Sequence, residues 1–436
     1  MSMDQEGVHP TWRLEEPWPA TLVAPMTGKD APEADSVLAA TADRLEGTVD
    51  VLEIQRSPDD KHPWSLVVRM PGHPFPVLVA CEKTRRMDEV PESLAPAISR
   101  SNWSLVIESL IDDDDPRAGW GRLAKVAGSR PDTIAIIDAT TGRWFDRVEI
   151  DDSLMDEELG APDDVLWRVQ AVSSAEDLDS GTVWLFTRGL LRCGLPELEI
   201  LELPGRHALE GGRLLDAVAG LLIEDGTPPP EVPYQLGPDL SIAFVPWTEV
   251  VSTLDPESLG SEADRIALSQ ETPNPFRARR AAICGLEPRG SFRRIWTWPE
   301  EAIRAVADPE VTVFRSDSVI RRTAILARRR WKEAVSAFAA AGGAAGGDAP
   351  VVLLVGIPLG DDGQGRAEHG WLQAVEVDST GGRGLLLRST IDGRSAGTEV
   401  EFSADQIDGW RLVRGTVAVG PEHPGGLESV LDGMQT

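Results

Sequence analysis

Cysteine is nearly missing from this chain. The 436 residues hold three, Cys81, Cys193 and Cys284, widely separated and odd in number. That excludes a disulfide framework and paired zinc-ligand spacing, and it suits a reducing cytoplasm. Histidine is almost as scarce. Of the six, His9, His62, His73 and His423 each precede a proline, leaving His207 and His369. No His, Cys or carboxylate spacing suggests a metal, and no cofactor is expected. Long apolar runs are missing too. The strongest, Val351 to Ile357, is far too short to cross a bilayer, and Met1 to Gly7 carries neither a basic nor an apolar leader. No membrane association is expected, and the expected location is cytoplasmic. Phosphate-loop, dinucleotide-loop, serine-elbow and His-Glu-x-x-His patterns are also missing. This lowers the expectation of an NTPase, a dinucleotide enzyme, a serine hydrolase or a zinc peptidase.

What the chain has is negative charge, −30 in all, with five Lys against 37 Arg, two Asn and one Tyr. The residue bias looks like GC-rich bacterial coding. The charge repels phosphates at long range and argues against nucleic acid as a partner. One segment runs the other way. Residues 277–332 carry 14 Lys and Arg against 6 Asp and Glu, a local balance of +8. Arg277, Arg279, Arg280, Arg289, Arg293 and Arg294, with Phe292 and Trp296, could hold RNA or a phosphate ligand by charge and stacking, but the whole-chain charge favours a belt that neutralises the acidic body of the molecule or a second subunit.

Hydrophobic content of 41% supports well-buried cores. Residues 1–16 read as a flexible tail. Strand patterns at Thr21–Ala24, Val49–Ile54, Trp64–Met70 and Phe75–Ala80 surround a helical pattern at Ala31–Leu45. Strands are also expected at Trp103–Glu108, Thr133–Asp138, Val183–Phe186, Leu198–Leu201 and Leu240–Val245, and a helix at Gly211–Ile223. Asp112 to Asp115 before Pro116 is a helix-start signal. Ile320, Ala324, Ala327, Trp331, Val335 and Phe338 make one apolar stripe, which predicts a continuous helix over 320–338. The Ala/Gly run at 339–349 reads as a linker. After it, five short strands separated by Gly/Asp-rich turns suit a small SH3-like barrel at 350–415, and 416–436 reads as a tail. The expected fold class is α+β: a large mixed α+β domain at 17–338, in two lobes with a break near 115–130, followed by the barrel.

The segment Trp184-Leu-Phe-Thr-Arg-Gly-Leu-Leu-Arg-Cys-Gly-Leu-Pro-Glu-Leu-Glu-Ile-Leu201 resembles a signature of a bacterial family of unknown function with a large α+β domain. Arg188 stands where many members of that family carry histidine. Glu368-His-Gly-Trp371, Gly397–Phe402 and Ile407-Asp-Gly-Trp410 are similar to the small YegJ-like domain of unknown function, which often follows that large domain. The closing motif has an inserted glycine, Gly409. Neither resemblance implies an established activity.

Thr187, Arg188, Arg192, Glu197 and Glu199 are the chemistry-bearing residues of the first motif. Two arginines at a turn would grip an anionic ligand or a peptide. Glu197 and Glu199, at i and i+2 of a strand, would share a face and act as an acid/base pair. The structural alternative pairs Arg192 with one of those carboxylates, buries Trp184 and Leu198, and makes Cys193 a small buried apolar residue. His369, Trp371 and Trp410 are the binding residues of the second motif, the two tryptophans as aromatic anchors. The expected function is a non-enzymatic binding or adaptor protein that meets a protein partner through the C-terminal barrel. The alternatives are an enzyme of undefined class using Glu197 and Glu199 with Arg188 and Arg192, and an immunity or defence protein that binds a basic partner.

Overall fold

The fold comes from a computed structural model. It describes residues 11–14, 17–56, 62–87, 89–112, 114–154, 156, 158–177, 180–237, 240–271, 279–289, 293–307, 314–342, 350–361, 367–390, 393–415 and 417–422. The chain divides into two compact units, Met1–Ser316 and Asp317–Thr436.

The first unit holds two seven-stranded sheets. The first sheet comprises β1 (Ala20–Met26), β2 (Asp50–Arg56), β3 (Trp64–Arg69), β4 (Val77–Lys83), β5 (Trp103–Ser109), β6 (Ala135–Asp138) and β7 (Trp144–Asp146). Their order is β2-β3-β4-β5-β1-β6-β7, antiparallel throughout. β3 and β4 alternate buried and half-buried residues, the mark of a sheet with one face in a core. Helices Ala34–Arg44 and Pro116–Ala127 cover that face. The second begins as the acidic run predicts: Pro116 takes the first helical position and the Asp115 carboxylate accepts from Ala118 N. The break expected near 115–130 coincides with this helix, whose Trp120, Leu123, Ala124 and Val126 are fully buried.

The second sheet comprises β8 (Arg168–Ser173), β9 (Thr182–Arg188), β10 (Glu197–Pro204), β11 (Tyr234–Gly237), β12 (Leu240–Pro246) and β13 (Arg280–Arg289), with β14 (Arg293–Thr297) hairpinned onto β13. Its order is β11-β12-β13-β10-β9-β8. β10 and β13 run parallel, with Glu197 opposite Arg280 and Glu199 opposite Ala282. β9 and β10 are buried along nearly their whole length because both faces are covered. Helix Ala208–Asp225 packs Leu214, Leu215, Val218 and Leu222 on one face, in a core shared with the first sheet. On the other face a smaller cluster gathers Trp184, Phe186, Leu201, Val245, Ala282 and Cys284 against Val250 of helix Trp247–Val251.

The second unit opens with two helices, Asp317–Arg329 and Trp331–Ala340. The single helix predicted over 320–338 is broken at Arg330, whose ψ of 9° departs from helical values. The break lets Trp331 turn under the sheet, where its Nε1 donates to Asp378 O at 2.9 Å. Both helices pack on a six-stranded antiparallel sheet. Its strands are β15 (Val352–Asp361), β16 (Ala367–Asp378), β17 (Gly381–Leu386), β18 (Glu399–Ser403), β19 (Gly409–Arg414) and β20 (Val417–Val419), in the order β18-β17-β16-β15-β19-β20. The five expected strands are all present, with β20 in addition. The expected SH3-like barrel is not found: among the described residues no pairing joins β18 to β20, so the sheet is open. The reason lies in the helices. Ala327, Trp331, Ala334 and Phe338 bury the apolar face that a barrel would bury against itself. Most of the run read as a linker, 343–349, falls outside the described residues.

Candidate functional site

β9 ends at Arg188, and the chain turns at Gly189 with φ +129°. A side chain there would strike the Leu166 carbonyl oxygen, so the turn requires glycine. Gly189 N donates to Glu197 Oε1 at 2.7 Å, and Thr187 Oγ1 donates to Glu197 Oε2 at 2.8 Å. Leu198 N in turn donates to Thr187 Oγ1 at 2.7 Å. Glu197 therefore ties the 3-10 turn Leu190–Cys193 to the start of β10, and both it and Thr187 are sealed from solvent. Cys193 is buried in the same turn.

Arg192 pairs with neither Glu197 nor Glu199. Its Nη1 donates to Asp138 Oδ2 at 2.6 Å, and its Nη2 donates to the carbonyls of Val165 (3.0 Å) and Leu166 (2.8 Å). Asp138, at the end of β6, also accepts from Trp120 Nε1 at 2.9 Å and from the backbone of Thr140 and Thr141. Both side chains of this ion pair are fully buried. The 3-10 turn carries Arg192 off the strand and toward the first sheet, which is why its carboxylate lies far away in sequence.

Glu199 finds its partner on helix Glu262–Glu271. Arg265 donates Nη2 and Nη1 to the two Glu199 oxygens at 2.8 and 3.0 Å, a bidentate pair with both side chains at 0% exposure. Trp184 Nε1 adds a third donor at 3.2 Å. The guanidinium lies between two indoles, 4.7 Å from the Trp184 ring and 4.4 Å from Trp247. Its Nε donates to Gly260 O at 2.7 Å. Gly260 has φ +78°, and a side chain there would crowd Leu201 and Trp184. Arg280, on β13, lies over the Phe186 ring at 5.3 Å. Burial pushes its pKa down, and the nearby Glu199 and Glu197 charges oppose that.

The structure thus gathers Thr187, Glu197 and Glu199 at one end of β10 and sends Arg192 elsewhere. Arg188 stays half-buried at the end of β9, with no hydrogen bond or ion pair to a described residue. The four side chains of the enzymatic alternative do not converge on a cleft. Each carboxylate is engaged and closed to solvent, which suits holding the sheet together better than moving protons. Sequence reasoning missed Asp138 and Trp247, which lie at element ends, and Arg265, a charged residue within a short helix; none carries a periodic signal. Of the expected basic belt, Arg280 is buried in this network and Arg279 is exposed. Arg277 and Phe292, and the side chains of Arg289, Arg293, Arg294 and Trp296, lie outside what the structure describes. Among the described residues no group of three or more His, Cys, Asp or Glu could hold a metal ion, and no helix is long and apolar enough to cross a membrane.

In the second unit the two tryptophans expected as anchors point opposite ways. Trp410 is fully buried, and its Nε1 donates to Ala327 O at 3.2 Å. It belongs to the core and cannot meet a partner. Strand alternation places Trp371 on the outer face, 37% exposed. Its indole rests on Gly409, where a Cβ would lie 3.3 Å from Trp371 Cη2, so the inserted glycine is the seat of the ring. Arg411 lies over the same ring at 5.6 Å. Val375 on β16 and Leu385 on β17 are exposed on the same sheet, as is Leu387 just past the end of β17, whose N donates to Trp371 O. His369 stands opposite Pro358 in β16, and its side chain lies outside what is described.

One family model matches the chain, described as protein of unknown function (DUF4026) C-terminal, over residues 169–275. The match takes in the Trp184–Leu201 segment and Arg265. No curated protein and no solved structure matches.

Proposed function

We propose that the protein is a non-enzymatic binding or adaptor protein of the cytoplasm, and that it meets a protein partner through the outer face of the C-terminal sheet. The observation that carries this reading is Trp371, an exposed indole seated on a glycine with Val375, Leu385 and Leu387 about it. Exposed apolar patches centred on an aromatic mark contact surfaces, and tryptophan is the side chain most often found at their energetic centre. The face is rimmed by Glu376, Glu399 and Glu401, with Arg383 bridging the first two. With a whole-chain charge of −30, this selects a partner segment with an apolar anchor and basic flanks. The YegJ-like resemblance of the second unit and the cytoplasmic location rest on the sequence motifs and the sparse cysteines.

The test compares the full chain with its Trp371→Ala form as bait under native conditions, at low and high salt. The expected result is a stoichiometric partner held by the unsubstituted chain, weakened by salt and lost with Trp371→Ala at unchanged thermal stability. A partner retained equally by both forms overturns the proposal.

A further inference from the structure

A second feature lies in the first unit, at the outer end of the second sheet. β8 is an edge strand there, and its Arg168 stands directly opposite Arg188 of β9. Like charges directly opposite each other in an antiparallel pair are destabilising. The Glu197 and Asp138 charges offset part of it without bonding to either arginine. Neither arginine makes a hydrogen bond or ion pair with a described residue, although the chain as a whole carries an excess of 30 negative charges. The carboxylates nearest in charge are already engaged. Glu197 is held by Thr187 and Gly189, and Asp138 by Arg192 and Trp120. Glu89, the remaining one, forms no ion pair with either arginine.

The two side chains leave the same face of the sheet from directly opposed positions. Arg168 Nη1 lies 3.7 Å from where a side chain on Gly142 would begin, so its guanidinium reaches the turn that follows Asp138. Arg188 is half-buried and feels the Asp138 charge from its own side. Burial pushes its pKa down and Arg168 pushes the same way, while Glu197 and Asp138 push back. A cation held half-desolvated beside another cation, with its counter-charges engaged elsewhere, is an arrangement found at ligand sites.

We propose that Arg168 and Arg188 bind a small oxyanion of the phosphate type, gripped between the two guanidinium groups over the Gly142 turn. Two planar forks on opposed positions of one face suit a tetrahedral dianion, each offering paired N–H donors. The site is separate from the Trp371 face and does not depend on it.

The test is isothermal titration of the full chain with inorganic phosphate at constant ionic strength, with acetate and chloride as parallel arms. One saturable site for phosphate is expected, with acetate weaker and chloride silent. Arg168→Gln, an exposed position that leaves the fold intact, is expected to weaken phosphate by about tenfold or more, the worth of one charge-assisted contact. Arg188→Gln is expected to abolish binding, and Arg188→Lys to restore it in part. Arg85→Gln, which touches neither residue, should bind as the unsubstituted chain does. If Arg188→Gln fails to fold, Arg168→Gln decides. Absence of a saturable phosphate site, or undiminished affinity in Arg168→Gln, overturns the proposal. Tighter acetate than phosphate would overturn the assignment of the ligand class.

Discussion

Glu199→Gln separates the structural reading of the buried carboxylates from the enzymatic one. The substitution keeps the shape and removes the charge. Arg265 would then sit at 0% exposure, with its bidentate partner reduced to a neutral amide whose NH2 group cannot accept. Removing one member of a buried pair leaves an uncompensated charge and costs about 3–5 kcal/mol. The Arg265 guanidinium stacks between Trp184 and Trp247 before and after the substitution, so this contact leaves the difference unchanged. The loss is a large share of a typical domain's stability of about 5–15 kcal/mol. In urea, followed by circular dichroism and tryptophan fluorescence, the first unfolding midpoint should fall by about 1 M. Glu199→Leu with Arg265→Met removes both charges and leaves Gly260 O without its donor, so the double form should lose about 1–3 kcal/mol, less than the sum of the single changes. A Glu199→Gln chain as stable as the original, or more stable, would refute this reasoning. A carboxylate whose removal stabilises the fold is the sign of one retained for chemistry.

Trp410→Ala should cost about 3–5 kcal/mol by opening a core cavity, while Trp371→Ala should leave stability nearly unchanged; paired thermal melts would check the contrast. Cys81 and Cys284 should resist thiol reagents at pH 8 in the folded chain and react in denaturant, because burial pushes both pKa values up to about 12. The unfolded thiols ionise near 9.0, so the folded state holds the extra protons. The stability they contribute is present below that pH and is lost as pH rises toward about 12, which an alkaline titration of the melting point would show.

Much of the strand pattern was legible because alternation and β-branched runs report burial directly. β3, β4, β9, β10 and β12 lie within a few residues of their expected places. β8 was not legible: its residues are half-buried or exposed, so no period shows. The burial of Glu197 and Glu199 could be suspected from their apolar neighbours, but not their partners. Arg265 is 66 residues from Glu199, on a helix that follows a glycine turn at Gly260, and no local signal encodes that meeting. The same holds for Arg192 and Asp138. The stripe from Ile320 to Phe338 gave the right face and missed the break, since Arg330 is compatible with helix and the interruption is set by where Trp331 must go. The openness of the C-terminal sheet was equally hidden, because a strand count cannot say whether the helix before it covers the face.

β13 enters the second sheet between β12 and β10, yet the stretch that matches the family ends at residue 275, before β13 begins. A chain stopped there would keep five of the seven strands and lose β13 from the middle, with β14 beside it. What would remain is a slot one strand wide, flanked by two rows of unpaired backbone groups roughly 10 Å apart, twice the usual strand spacing. Such a slot invites strand donation. A separate peptide covering residues 279–289 should insert into it and restore the sheet. The order of the strands thus makes β13 a keystone, and the boundary of a sequence match is not a boundary at which this protein can be cut.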